Sequence, residues 1–170
     1  MSKYRFIRWL AYAIEILVCF VLQETPRLIP QLFGARPVLV IPVVLAIAMF
    51  ETEIPAMLFG LFGGLLVDFG MGTLLGSHAM LLAALCFIIS LVAANLIRTN
   101  LLSAMLVVLI SAAALTLLDW ACFYVMPGYS DPLYSLTAHY LFIYLYTSAV
   151  MPITYYFNRA LALQIRSKEE

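Results

Sequence analysis

The sequence predicts an all-α integral membrane protein, built as a bundle of six transmembrane helices. Of its 170 residues, 65% are hydrophobic and only 11% are charged, whereas about 25% of the residues of a soluble domain are charged. The apolar residues form near-continuous runs of the length that crosses about 30 Å of hydrocarbon. Few residues remain outside these runs, so we expect one transmembrane domain that comprises residues 1–170.

Polar or glycine- and proline-containing connections divide the chain into six apolar segments. The second segment is short and contains Pro42, so we expect it to be kinked. Pro55 suits the first turn of the third helix, and Gly70 and Gly72 are expected to end that helix because glycine loses much entropy when it is helical. The predicted spans are about residues 6–23, 38–50, 55–69, 77–97, 101–125 and 136–157.

The positions of the basic residues predict the orientation of the bundle. The first apolar run is not followed by a small-x-small cleavage site, so we expect its helix to stay uncleaved. Six spans place both termini on one side. With the termini in the cytoplasm, seven of the nine Lys and Arg residues lie inside, and Arg27 and Arg36 lie outside. The positive-inside rule therefore predicts cytoplasmic termini.

The third span carries the pattern around which the chain is organised. Gly60, Gly64, Asp68, Gly72 and Gly76 recur every four residues, so they fall on one stripe while the backbone stays helical. Glycine lets a neighbouring backbone approach closely, and this is how helices associate in lipid. The stripe has two possible uses: packing against another helix of this chain, or docking of another membrane protein.

Two carboxylates lie within apolar runs at similar predicted depth. An acidic residue in a membrane span is energetically costly and usually faces the bundle interior or a wet cavity. We therefore expect Asp68 and Asp119 to share a buried polar cluster with His78, which either fixes the fold or forms a ligand or proton site. The alternative is that the acids are helix-end residues at the headgroups. His139 is interpreted as an interfacial polar residue.

Glu15 lies near the middle of the first span, and no Lys or Arg is predicted at its depth. An isolated buried carboxylate shifts its pKa rather than staying charged. We therefore expect Glu15 to be protonated or hydrogen-bonded to a partner, and structural and functional roles remain equally open.

Several function classes are disfavoured by what the sequence contains. The formal net charge is zero and no basic stripe is interleaved with aromatics, which argues against nucleic acid. Cys19, Cys86 and Cys122 lie in apolar runs without a second Cys or His at ligand spacing, so we expect no metal and no cofactor. Asp68 and Asp119 lack the Gly-x-Gly-Asp context of membrane proteases, and no zinc or phosphate motif is present. We expect no enzymatic activity.

The stretch from Gly60 to Met80 resembles the signature of the MreD family of bacterial rod-shape-determining proteins. It has the pattern Gly-x-x-x-Gly-x-x-x-Asp, a glycine-rich turn and a following helix. Length, six short spans and basic ends are also similar, so the resemblance covers almost the whole chain. The chain departs from the family pattern at two places. Family members often have an acid or amide after the proline of the second segment, where this chain has Val38, and a basic turn after that segment, where this chain has Glu-Thr-Glu at 51–53. The resemblance assigns as motif residues Gly60, Gly64, Asp68, Gly72, Gly76, Pro37 and Asp119.

The resemblance implies a function and a set of partners. It implies a non-enzymatic scaffold subunit of the cell-elongation complex in the bacterial inner membrane, which supports peptidoglycan synthesis and cell-shape control. MreC is the expected direct partner, with MreB, RodA and a penicillin-binding protein reached indirectly. Membrane lipid is expected as a contact; nucleic acid and a small-molecule substrate are not.

The implied fold is similar to the six-helix substrate-binding subunits of energy-coupling-factor vitamin transporters. The alternative function is therefore a substrate-binding membrane subunit of a small-molecule uptake transporter, which the outward polar cluster would favour. A vitamin bound tightly to the purified protein would identify that alternative.

Overall fold

The computed structural model describes residues 3–25, 28, 36–72, 75–95, 101–129 and 131–166, and every regular element among them is helical. Two π-helical turns are present: Ala121–Val125 continues the α-helix Leu101–Trp120, and Leu136–Tyr140 joins the α-helices Pro132–Ser135 and Leu141–Arg166. The α-helices are α1 Lys3–Glu24, α2 Val40–Ala48, α3 Glu53–Met71, α4 Ser77–Asn95, α5 Leu101–Trp120, α6 Pro132–Ser135 and α7 Leu141–Arg166.

The predicted all-α class is confirmed, and a helix lies at each of the six predicted segments. Within the described part of the chain, three helices are long and apolar enough to cross a membrane, at Tyr4–Glu24, Glu53–Met71 and Ser77–Ala94, and Met105–Trp120 is a shorter apolar helix. The nine residues of α2 reach only about 14 Å at 1.5 Å per residue. The six-span bundle and its likeness to vitamin-transporter subunits stay predictions.

Helix α2 forms the centre of the core. All nine of its residues are buried, and it contacts α1, α3, α4, α5 and α7. A helix that is hydrophobic on every side is stable only when it is enclosed, which explains how so short an element persists. Pro42 lies in the first turn of α2, where a missing N–H breaks no intrahelical hydrogen bond, so the proline requires no kink.

The outside of the bundle is apolar where a soluble protein would be polar. Large hydrophobic side chains such as Phe6, Ile54, Ile110 and Ile153 are each more than three-fifths exposed. Extensive exposed apolar surface marks a membrane or protein contact. The exposed surface and the three long apolar helices together fit a membrane protein.

A tight turn joins α3 to α4 and sets the position of the polar cluster. Helix α3 ends at Met71, and Gly72 follows in the left-handed conformation with φ of 63°. Glycine adopts this conformation without steric cost and commonly ends helices in this way. The break predicted after Phe69 therefore occurs, although Gly70 is still helical.

Candidate functional site

Three side chains from three helices meet at the end of the bundle that holds the α3–α4 turn. Asp68 lies near the end of α3, His78 in the first turn of α4 and Asp119 near the end of α5. His78 Nδ1 is 2.7 Å from Asp68 Oδ1, and His78 Nε2 is 3.2 Å from Asp119 Oδ1. The structure thus brings together the three residues of the predicted polar cluster, with the imidazole between the two carboxylates.

Asp68 is almost saturated with hydrogen bonds. The backbone N–H groups of Gly76, His78 and Ala79 donate to its carboxylate at 2.8, 3.1 and 3.3 Å, and Ser77 Oγ donates at 3.1 Å. These N–H groups belong to the start of α4, where the first turn of a helix has no internal acceptors. Asp68 therefore caps α4 from the neighbouring helix, and its negative charge is favourable at a helix N-terminus.

Asp119 has a different environment. It approaches the Nε2 atom of His78, and 20% of its side chain is exposed, compared with none of the Asp68 side chain. Together with His78 it lines a cavity of about 280 Å³ between α2, α5 and α7. The other lining residues include Val38, Ile41, Ala112, Leu115, Ile143 and Thr147. Asp119 is therefore the acid of the cluster that faces open volume.

The first two glycines of the predicted stripe face α4 of the same chain. A Cβ atom added to Gly60 would lie 2.7 Å from the Leu82 carbonyl oxygen and 2.9 Å from Ala83 Cα. One added to Gly64 would lie 2.6 Å from the Ala79 backbone nitrogen. These neighbours are backbone atoms that no rotamer change can move, so glycine is required at both positions.

Gly72, Gly76 and Pro37 of the motif take no part in the packing of α3 against α4. Gly72 and Gly76 follow the end of α3 with φ of 63° and 103°, and an added Cβ would meet no atom within 4 Å at either position. They serve the turn through backbone conformation. Pro37 is buried just before α2, where the Val38 N–H donates to Thr147 Oγ1 at 3.1 Å.

Two glycines outside the predicted stripe also permit close contacts. A Cβ on Gly63 would lie 2.5 Å from Val44 Cγ2 of α2, and one on Gly70 would lie 2.5 Å from Glu24 Oε1 of α1. The stripe pattern does not predict this role for them. Helix α3 nevertheless contains more glycines than a single stripe needs, and this excess is a sequence signal for additional close contacts.

The partner of Glu15 is Asn158. Asn158 Nδ2 donates to Glu15 Oε1 at 3.0 Å and to the Thr154 carbonyl oxygen at 2.9 Å. Helix α7 continues to Arg166, past the predicted span of about residues 136–157, and Asn158 within it is fully buried. Glu15 Oε2 and Asn158 Oδ1 are buried without a hydrogen-bond partner.

A buried ion pair lies at the opposite end of the bundle. Arg8 Nε is 2.6 Å from Glu51 Oε1, Trp9 Nε1 donates to Glu51 Oε2 at 3.4 Å, and Ser90 Oγ donates to the Glu51 carbonyl oxygen at 2.7 Å. Burial raises the pKa of the Glu51 carboxyl, and the Arg8 guanidinium opposes that rise. The sequence predicts only an ordinary polar turn at Glu51 and does not reveal this contact.

The described residues contain no group of three or more His, Cys, Asp or Glu side chains placed to hold a metal ion. His139 has its backbone in the second π-helical turn, and its side chain lies outside the described structure.

These features define an all-α protein whose apolar helices fit a membrane and whose internal acids are tied to other helices of the same chain. The family model of the rod shape-determining protein MreD matches residues 3–151. The chain therefore belongs to the MreD family, as its central motif predicted, and has a role in determining rod shape. Neither a curated protein nor a solved structure matches the chain.

Proposed function

We propose that this chain is a non-enzymatic membrane scaffold subunit of the cell-elongation complex, which binds MreC and so supports peptidoglycan synthesis and cell-shape control. The observation that carries the proposal is the match to the MreD family over residues 3–151. MreB, RodA and a penicillin-binding protein are reached through MreC.

The use of the internal polar groups supports a scaffold. Asp68 accepts hydrogen bonds from the start of α4, Glu51 pairs with Arg8, and Glu15 accepts from Asn158. Each contact joins two different helices, or a helix and the α2–α3 turn. Polar contacts of this kind fix the arrangement of helices, which is what a subunit that positions other proteins requires.

The surface that meets MreC is expected on exposed apolar positions, because Gly60 and Gly64 are occupied by α4. Leu10 of α1 and Leu61 of α3 are 51% and 42% exposed, whereas Val44 of α2 is fully buried. We expect a photo-crosslinking amino acid to capture MreC at one or more exposed positions of α1 or α3. Val44 is the matched internal control and should give no crosslink.

The proposed location is the bacterial inner membrane with both termini in the cytoplasm. The distribution of Lys and Arg supports this orientation. An alkaline phosphatase fused to the C-terminus should be inactive, since the enzyme folds only outside the cytoplasm. Phosphatase activity of an intact fusion protein would show that the C-terminus lies outside the cytoplasm and would contradict the proposed orientation.

The decisive test is complementation in a rod-shaped bacterium that lacks its own MreD. We expect the chain to restore rods and to co-purify with MreC. A chain that reaches the membrane at normal levels and folds, but neither restores cell shape nor retains MreC, would overturn the proposal.

A further inference from the structure

The cavity beside Asp119 has the size of a small-molecule site. Its volume is about 280 Å³, close to the lower limit of about 300 Å³ for ligand pockets. An apolar protein cavity of about 150 Å³ holds benzene, which has six non-hydrogen atoms. By proportion, this cavity takes a ligand of roughly ten to twelve non-hydrogen atoms.

The cavity is polar at its mouth and apolar in its depth. Asp119 and Ala112 both line it from α5 and are seven residues apart, which is about 10 Å along a helix. Asp119 lies toward the α3–α4 turn, whereas Ala112 and Leu115 lie deeper and are buried. A ligand that fits therefore has one polar end and an apolar body.

The charge at the mouth selects the polar end of the ligand. Two carboxylates, Asp68 and Asp119, flank His78. With both acids ionised, the three side chains sum to a negative charge even when the imidazole is positive. The described lining residues include no Lys or Arg, so the mouth attracts a cation and repels an anion.

Three hydroxyl groups of the lining, those of Thr116, Tyr144 and Thr147, are engaged within the bundle, and Thr116 Oγ1 donates to the Ala112 carbonyl oxygen at 2.8 Å. Thr147 Oγ1 accepts from the Val38 N–H at 3.1 Å, and the Tyr144 hydroxyl donates to the Leu109 carbonyl oxygen at 3.4 Å. Asp68 receives its hydrogen bonds from the start of α4. The carboxylate with capacity for a ligand is therefore that of Asp119, and the ring of Tyr140 also lines the site, where an aromatic face attracts a cation.

We propose that this cavity binds a small organic cation, with its ammonium group on the Asp119 carboxylate and its apolar or aromatic body between Leu115 and Ile143. This site is separate from the scaffold function and does not depend on it. A lipid acyl chain is the competing occupant, but the carboxylates at the mouth disfavour the phosphate that such a chain carries.

The test measures binding of tyramine to the full chain in nanodiscs of a neutral lipid, by calorimetry and by ligand-detected NMR. Tyramine has a primary ammonium group and one aromatic ring, and it is within the size limit. The uncharged analogue para-ethylphenol is the matched probe, and nanodiscs without protein correct for partition into lipid. We expect tyramine to bind and para-ethylphenol to bind at least about tenfold more weakly.

Two variants localise the binding. Asp119→Asn keeps the shape of the side chain and removes its charge, so it should weaken tyramine binding at least about tenfold. The control is Asp131→Asn, the same change at an exposed residue with φ of 56°, a conformation that asparagine tolerates. Asp131→Asn should leave binding unchanged.

Ala112→Leu provides a second approach, because it fills the deep end of the cavity without touching a charge. It should abolish binding in a protein that still elutes as a folded species. Failure of the wild-type protein to bind tyramine, equal binding of para-ethylphenol, full binding by folded Asp119→Asn or Ala112→Leu, or a lipid chain retained in the cavity would each overturn the proposal.

Discussion

Replacing Gly64 with alanine should destabilise the protein, although the change favours a helix in isolation. The new Cβ would lie 2.6 Å from the Ala79 backbone nitrogen and 2.7 Å from the His78 carbonyl oxygen, whereas real Cβ atoms essentially never come within 3.0 Å of such neighbours. Both neighbours are backbone atoms of α4. The two helices must therefore move apart along a contact that extends from the α3–α4 turn.

The size of the effect follows from two opposing contributions. Alanine is better than glycine in a helix by about 1 kcal/mol. Overpacking costs about 1–3 kcal/mol and occasionally more, and we expect about 2–4 kcal/mol here because the obstacles are backbone atoms. We therefore expect a net loss of about 1–3 kcal/mol. Gly60→Ala should cost less, since its contacts are a few tenths of an ångström longer.

The assay is reversible unfolding of the purified protein in mixed micelles, with helicity followed by circular dichroism. Ala84→Val is the matched control, because it adds methyl groups to an exposed position of α4 and should change stability by less than about 0.5 kcal/mol. Unchanged or increased stability of Gly64→Ala would refute the reasoning, since helix propensity alone would then decide the outcome.

Three further changes test the polar contacts. Asp68→Asn places an amide donor against the N–H groups of α4, so we expect a loss of about 2–3 kcal/mol in the same unfolding assay. Arg8→Met leaves the buried Glu51 carboxylate without its ion-pair partner and should cost about 3 kcal/mol near neutral pH. Burial raises the Glu51 pKa, so this loss should shrink as the pH falls and Glu51 becomes protonated. Glu15→Gln should keep full stability, since the glutamine carbonyl oxygen can still accept from Asn158 Nδ2. The glutamine amide group also supplies a donor for the buried Asn158 Oδ1.

The controls for these changes lie in the same chain. Asp131→Asn is the exposed counterpart of Asp68→Asn and should be neutral. A loss after Arg8→Met that is independent of pH would mean that lost packing dominates over the charge of Glu51. A clear loss after Glu15→Gln would mean that the carboxyl group has a role that a neutral amide cannot fill.

The sequence predicted the helices well because their signals are local. Long apolar runs, the proline at the start of α3 and the glycines after it identify the elements and the α3–α4 turn. Helix α7 continues past the predicted sixth span for a physical reason. Asn158 and Arg159 look like the polar boundary of a span, but the Asn158 side chain turns inward to Glu15, and the helix continues.

The polar cluster was predictable only in part. Burial cost implied that Asp68 and Asp119 face the interior, and their similar depth suggested that they meet near His78. The Arg8–Glu51 pair could not be inferred this way, because both residues lie at the ends of spans, where charged residues are ordinary. Its formation depends on the tertiary arrangement of α1 and the α2–α3 turn, which has no local signature.

Helix α4, which packs against the glycine stripe of α3, also carries a sequence pattern that predicts this contact. Ala79, Ala83 and Cys86 are small residues spaced four and three apart on α4, and they are among the residues nearest to Gly64 and Gly60. Two stripes of small residues on helices joined by a short turn predict that the stripes face each other. The small residues of α4 therefore favour packing of the glycine stripe within the chain over docking of another protein.

The spacing of the central motif acquires a physical meaning from these contacts. The glycines at 60 and 64 bring α3 and α4 together, and this closeness puts the Asp68 carboxylate within reach of the free N–H groups of α4. An aspartate one position earlier or later would point about 100° away around the helix and would cap nothing. The two glycines and Asp68 therefore depend on each other. The close approach of the helices allows Asp68 to cap α4, and the hydrogen bonds of the cap stabilise a charged residue at this depth.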